Sequence, residues 1–171
     1  MAIKPEIKYG AICAAGLIIW TMIQYWLGFH TTRLHIGQYS GYGMYAIIFA
    51  CLWLGLKDKF SDDIRKHSVR QGVREAILQL MITASISSVF MFIYDYRINP
   101  FWVDNMIQYQ REHPSALKTF IKFANDPDAT AIVLSNTETH LCVYFLSILA
   151  VGSAMGFMIS ASTLNSRKRG N

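Results

Sequence analysis

Four stretches of the chain, Tyr9–Phe29, Tyr39–Leu56, Ala76–Tyr94 and Leu141–Leu164, contain no Lys, Arg, Asp or Glu, and each is 18 to 24 residues long. A helix rising about 1.5 Å per residue needs about 20 apolar residues to cross the hydrocarbon core of a bilayer. There, without water, a helix satisfies its backbone N–H and C=O groups within its own segment. The 16 basic and 11 acidic residues all fall between or beyond these stretches. The pattern predicts an all-α, integral membrane four-helix bundle. The residues left over are too few for a second domain, so 1–171 reads as one unit. Its spans lie at about 9–29, 39–56, 76–94 and 141–164, with a loop at 57–75 and a longer one at 95–140.

Lys and Arg are unevenly shared between the two sides. Lys4, Lys8, Lys57, Lys59, Arg65, Lys66, Arg70, Arg74, Arg167, Lys168 and Arg169 fall on one side; Arg33, Arg97, Arg111, Lys118 and Lys122 fall on the other. The positive-inside rule puts the first set, and both termini, in the cytoplasm, and the 95–140 loop outside. The net charge of +5 is explained by this topology, and no nucleic-acid partner is implied. The first span is too long for a signal-peptide core and lacks a small-x-small cleavage site before a polar start, so it reads as a permanent helix. Cys13, Cys51 and Cys142 fall on three different spans without paired spacing, which predicts neither a disulfide framework nor a thiolate metal site.

Aromatic residues mark one interface. Tyr25, Trp26 and Phe29 close the first span and Tyr39, Tyr42 and Tyr45 open the second, as amphipathic rings do at headgroup level. The 57–75 loop reads as an amphipathic helix capped by Ser61, with Asp62 and Asp63 in its first turn. Ile64, Val69 and Val73 form its apolar stripe, and Gly72 is the place for a hinge. Arg65, Lys66, Arg70 and Arg74 are its candidate contacts to anionic headgroups. The alternative is a straight extension of the third span. The 95–140 loop reads as two amphipathic helices. The first is built on Val103, Met106, Ile107 and Gln110; the second is built on Leu117, Phe120, Ile121 and Ala124, with Ser115 as its cap.

Small residues predict the contacts inside the membrane. Gly152, Gly156 and Ser160 recur every fourth position on the last span, Gly37 and Gly41 at the start of the second, and Ala84 and Ser88 on the third. Such rows let helices approach closely, either within the chain or against a partner or a second copy. No acid or base falls at mid-membrane, which disfavours an ion-coupled transporter. His30, His35, His140 and Glu138 are weak candidates for a Zn²⁺ site, because imidazole and carboxylate are its ligands, but no two of them form a ligand pair on one helix. Asp95 and Arg97 read as solvated charges at a helix exit that turns before Pro100. No cofactor is predicted.

Short runs in the chain carry a family likeness. They are Lys8-Tyr9-Gly10, Ile36-Gly37-Gln38-Tyr39-Ser40-Gly41-Tyr42, Lys57-Asp58-Lys59, and Tyr94 through Ile98-Asn99-Pro100. Their order resembles the bacterial membrane family catalogued as domain of unknown function 4199. The resemblance implies a four-span protein of a bacterial cytoplasmic membrane with an amphipathic cytoplasmic segment, and no reaction or cofactor. Ser68–Arg74 departs from the Ser-Phe-Gly type motif usual in that segment. Packing motifs without catalytic ones predict a non-enzymatic accessory or scaffold subunit that docks through the last span. A small-molecule permease is the alternative, and an interfacial metal enzyme is a third.

Overall fold

The computed structural model describes residues 3–60, 68–112 and 137–168. They form α1 (Pro5–Trp26), α2 (Leu34–Lys59), α3 (Val69–Ile93, ending in a π-turn over Tyr94–Ile98), α4 (Trp102–Glu112) and α5 (Thr137–Lys168). No strand occurs among the described residues. Helices α1, α2, α3 and α5 are long and apolar enough to cross a membrane, and the chain is a multi-pass membrane protein. Around the bundle, α3 packs between α1 and α5, and α2 closes the ring against both of those helices. The core is Leu17 of α1, Ile48 and Leu52 of α2, Leu80 and Ala84 of α3, and Ile148 and Ile159 of α5.

The helices outrun the charge-free stretches. Ser68, not Ser61, caps the described helix: its hydroxyl accepts from the Gln71 N–H, and the Gln71 side chain accepts from the Ser68 N–H. This capping box satisfies two N–H groups that would otherwise be orphaned. Residues 69–75 thus extend the third span straight, as in the alternative reading of this segment. Gly72 is no hinge. It sits within α3, where the missing side chain leaves room for Ser160 of α5. Ser61–Lys66, including Arg65 and Lys66, and the second helix expected from Ser115 to Ala124 lie outside the described residues.

The small-residue row of α5 meets α3 of the same chain. A Cβ at Gly152 would strike the Leu80 methyls, and one at Gly156 would lie 2.6 Å from the Ala76 Cβ. Ser160 lies against Gly72 in the same way. The groove read as a docking face for a partner is filled from within. Gly37 and Gly41 do not share a contact: Gly37 lies against the Phe29 carbonyl, and Gly41 faces open space.

At one end, Lys59 reaches Glu6 at 3.1 Å and Glu75 at 3.5 Å, tying α2 to α1 and α3. The Glu75 carboxylate, 8% exposed, also takes Arg74 at 2.8 Å, and Lys8 approaches Asp58 at 3.7 Å. A carboxylate this buried is tolerated only when paired. Arg70 and Arg74, the two described headgroup candidates, are exposed.

Candidate functional site at the histidine end

The opposite end holds a buried polar cluster, and local backbone chemistry builds it. Helix α1 stops in a Schellman motif: Phe29 N–H bonds to Gln24 O at 2.9 Å and Gly28 N–H to Tyr25 O at 3.0 Å. Gly28 holds φ +76°, a left-handed conformation that glycine adopts without steric cost. The turn folds His30 back toward Gln24 and Tyr94.

One chain of hydrogen bonds follows. The Gln24 amide N–H donates to Ser40 O at 3.3 Å, which leaves its oxygen facing His30 Nε2 at 3.0 Å. An oxygen there needs a donor, so Nε2 carries the proton and Nδ1 is the acceptor. The Tyr94 hydroxyl supplies that bond at 2.5 Å and accepts from the Asn99 amide at 3.1 Å. Trp20 adds an indole N–H to the same Ser40 carbonyl at 3.1 Å. Every link runs in one direction with His30 neutral.

Burial agrees. It pushes the His30 pKa down to about 4, against a smaller upward pull from the Asp95 charge. With the ordinary value near 6.5, the unfolded chain binds this proton first as pH falls. Stability from His30 is therefore present in full above about pH 6.5, declines toward pH 4 and changes no further below it. The size is at most about 3 kcal/mol. Unfolding in detergent across pH 4–7 should show this loss, and His30→Gln should flatten it; an unchanged slope in the variant would assign the effect to another group.

The second half of the cluster is centred on Asp95. Its carboxylate accepts from His140 Nδ1 at 3.0 Å and from the Trp102 indole N–H at 2.7 Å. Its side chain is only 7% exposed, so the expectation of a solvated charge was wrong. Arg97, by contrast, is exposed. The Trp102 ring lies between the two imidazoles, 5.5 Å from His30 and 5.3 Å from His140. Together Asp95, Trp102 and His140 join α3, α4 and α5. The π-turn that carries Asp95 is a form found disproportionately at functional sites.

Of the four metal candidates, His30 and His140 enter this cluster, while His35 on α2 and Glu138 on α5 are exposed. Among the described residues no group of three or more His, Cys, Asp or Glu side chains is placed to hold a metal ion. Sequence reasoning passed over Gln24, Tyr94, Asn99 and Trp102. The available signal was a glutamine near the end of an apolar span, six residues before a histidine, with Gly28 between them.

A family model matches residues 8–163, the whole bundle from the first turn of α1 to the last turns of α5. The chain belongs to that family, described as a protein of unknown function (DUF4199). The resemblance read from Lys8-Tyr9-Gly10 and the later runs is thereby established. No curated protein and no solved structure matches the chain.

Proposed function

We propose that this family member is a non-enzymatic scaffold subunit of a larger membrane assembly. The observation that carries the reading is how the polar groups at the histidine end are used. Both ring nitrogens of His30 and both carboxylate oxygens of Asp95 are hydrogen-bonded within the chain. Side chains spent on joining five helices hold a shape; a general acid or base needs a free position for its substrate. With the α5 groove filled by α3, the docking surface moves to the histidine end, where the amphipathic α4 is tied to α3 by the Trp102–Asp95 hydrogen bond.

The charge distribution supports placing the Lys59 end in the cytoplasm of a bacterial inner membrane, with Arg70 and Arg74 toward anionic headgroups. Cysteine introduced at Asp104, exposed on α4, should react with an impermeant maleimide added to intact cells, and Lys57→Cys only after lysis. The reverse pattern would invert the topology.

The scaffold reading is tested by gentle detergent extraction, native-size separation and mass spectrometry of what travels with the chain. A discrete assembly of fixed stoichiometry is expected. A lone chain that instead carries a solute into proteoliposomes would replace the scaffold by a permease.

A further inference from the structure

Helices α1 and α2 form an antiparallel pair whose register can be read from its close contacts. Tyr9 lies against Gly55, Gly16 against Ile47, and Trp20 against Gly43, and Trp20 and Gln24 reach the Ser40 carbonyl. From Tyr9 to Trp20 along α1 and from Gly55 back to Gly43 along α2 the contacts keep step to within one residue. The residue opposite Cys13 in this register is Cys51. Their side chains interact directly, both thiols are free, and they are 1% and 8% exposed.

A disulfide needs Cα atoms about 4.4–6.8 Å apart, closer than most packed helix pairs bring them. Gly16 and Gly55 flank the cysteine pair, one turn away on either side and on opposite helices. Each lacks a side chain where the helices meet: a Cβ at Gly16 would lie 3.0 Å from Ile47, and one at Gly55 would strike Gln79 of α3 first and lie 3.3 Å from the Tyr9 Cβ. The surroundings are mostly apolar, since Leu17, Ile48 and Leu52 belong to the same cluster, and the buried Thr83 hydroxyl is the polar neighbour of Cys13. A neutral, lipid-soluble oxidant reaches such a site, which lies inside two spanning helices, more readily than a strongly hydrated one.

We propose that Cys13 and Cys51 are a redox-active dithiol that a lipid-soluble quinone oxidises to an intrachain disulfide. Two S–H bonds break and one S–S bond forms. The two electrons and two protons pass to the quinone, which leaves as the hydroquinone. Cys51, the more open of the two, is the sulfur the quinone meets first, and Cys13 resolves it. The product staples α1 to α2 in the register they already hold, and a dithiol reductant reverses it.

The test uses full-length protein carrying Cys142→Ser, reconstituted in phosphatidylcholine vesicles with a short-chain benzoquinone in the bilayer. Oxidation should lower the intact mass by two hydrogens, remove both thiols that maleimide labels after unfolding in dodecyl sulfate, and yield one linked peptide pair containing Cys13 and Cys51. The unfolding midpoint should rise and return on reduction. Cys51→Ser and Cys13→Ser, checked by thermal unfolding to be folded, should each keep one free thiol and show no midpoint shift. Thiols that survive both the quinone and copper-phenanthroline would overturn the geometry. Linking by copper-phenanthroline alone would overturn the quinone as oxidant. A quinone-carbon adduct on Cys51 without a disulfide would overturn the exchange step.

Discussion

Gly156→Ala should destabilise the bundle by about 1–3 kcal/mol, the usual cost of forcing a methyl group into a filled core. The added Cβ would sit 2.6 Å from the Ala76 Cβ, and neither atom can rotate away because each is fixed to its own backbone. Helices α3 and α5 must separate, or one must slide. Gly152→Ala should cost less, since the atoms it meets are the methyls of Leu80, which can move to another rotamer. The contact can be proved by relief. Ala76→Gly alone removes a good helix former and costs about 1 kcal/mol, yet in the Gly156→Ala background it should restore most of the lost stability. Thermal unfolding of the four proteins in one detergent gives the cycle. Additive effects would mean that the two positions do not touch.

That experiment also separates two uses of a small-residue row. In lipid, dispersion and backbone proximity hold helices together, so any Gly-x-x-x-Gly face must be filled by something. Here α3 fills it, with Gly72, Ala76 and Leu80 set against Ser160, Gly156 and Gly152. A substitution on this face therefore measures the monomer's own packing. Loss of a partner from such a variant would not identify a docking surface.

The four spans were legible because charge is costly in hydrocarbon and its absence over 18 residues is easily seen. The same criterion mislaid helix ends. Helix α2 starts at Leu34 and α3 at Val69; the start of α3 is set by its capping box, and Glu75 is admitted to the bundle by Lys59 and Arg74. The Ser68-x-x-Gln71 box was visible in the sequence, but Ser61 beside two aspartates drew the cap instead. Small residues at four-residue spacing did mark a real packing face; which helix filled it depended on the order of helices around the bundle. Asp95 was misread for a similar reason. Its burial is decided by His140, 45 residues away, and by a tryptophan from a separate helix. Nothing in the local pattern at the end of α3 announces either. Cys13 and Cys51 likewise become a pair only once the α1–α2 register is known.

Asp95→Ala should therefore have an effect out of proportion to its place at a helix end. It leaves the Trp102 indole N–H and His140 Nδ1 without their acceptor in a site where His140 is 6% exposed. A stranded buried donor costs about 1–3 kcal/mol, so the expected loss is about 2–6 kcal/mol for the two together. Asp95→Asn should be far milder. Its amide oxygen can still accept from Trp102, and its amide N–H can donate to His140 if the imidazole moves its proton to Nε2. The damage should also be local, because Asp95 ties α4 to the bundle while the core around Leu17, Leu52 and Leu80 is untouched. Hydrogen exchange should rise across 102–112 and at the start of α5 in Asp95→Ala, with amides of α3 from Ala76 to Ser87 near their original rates. Equal losses in the Ala and Asn variants would mean that carboxylate charge, and not the pair of hydrogen bonds, holds α4. Unchanged exchange in α4 would detach it from Asp95 altogether, and with it the surface through which the scaffold is proposed to dock.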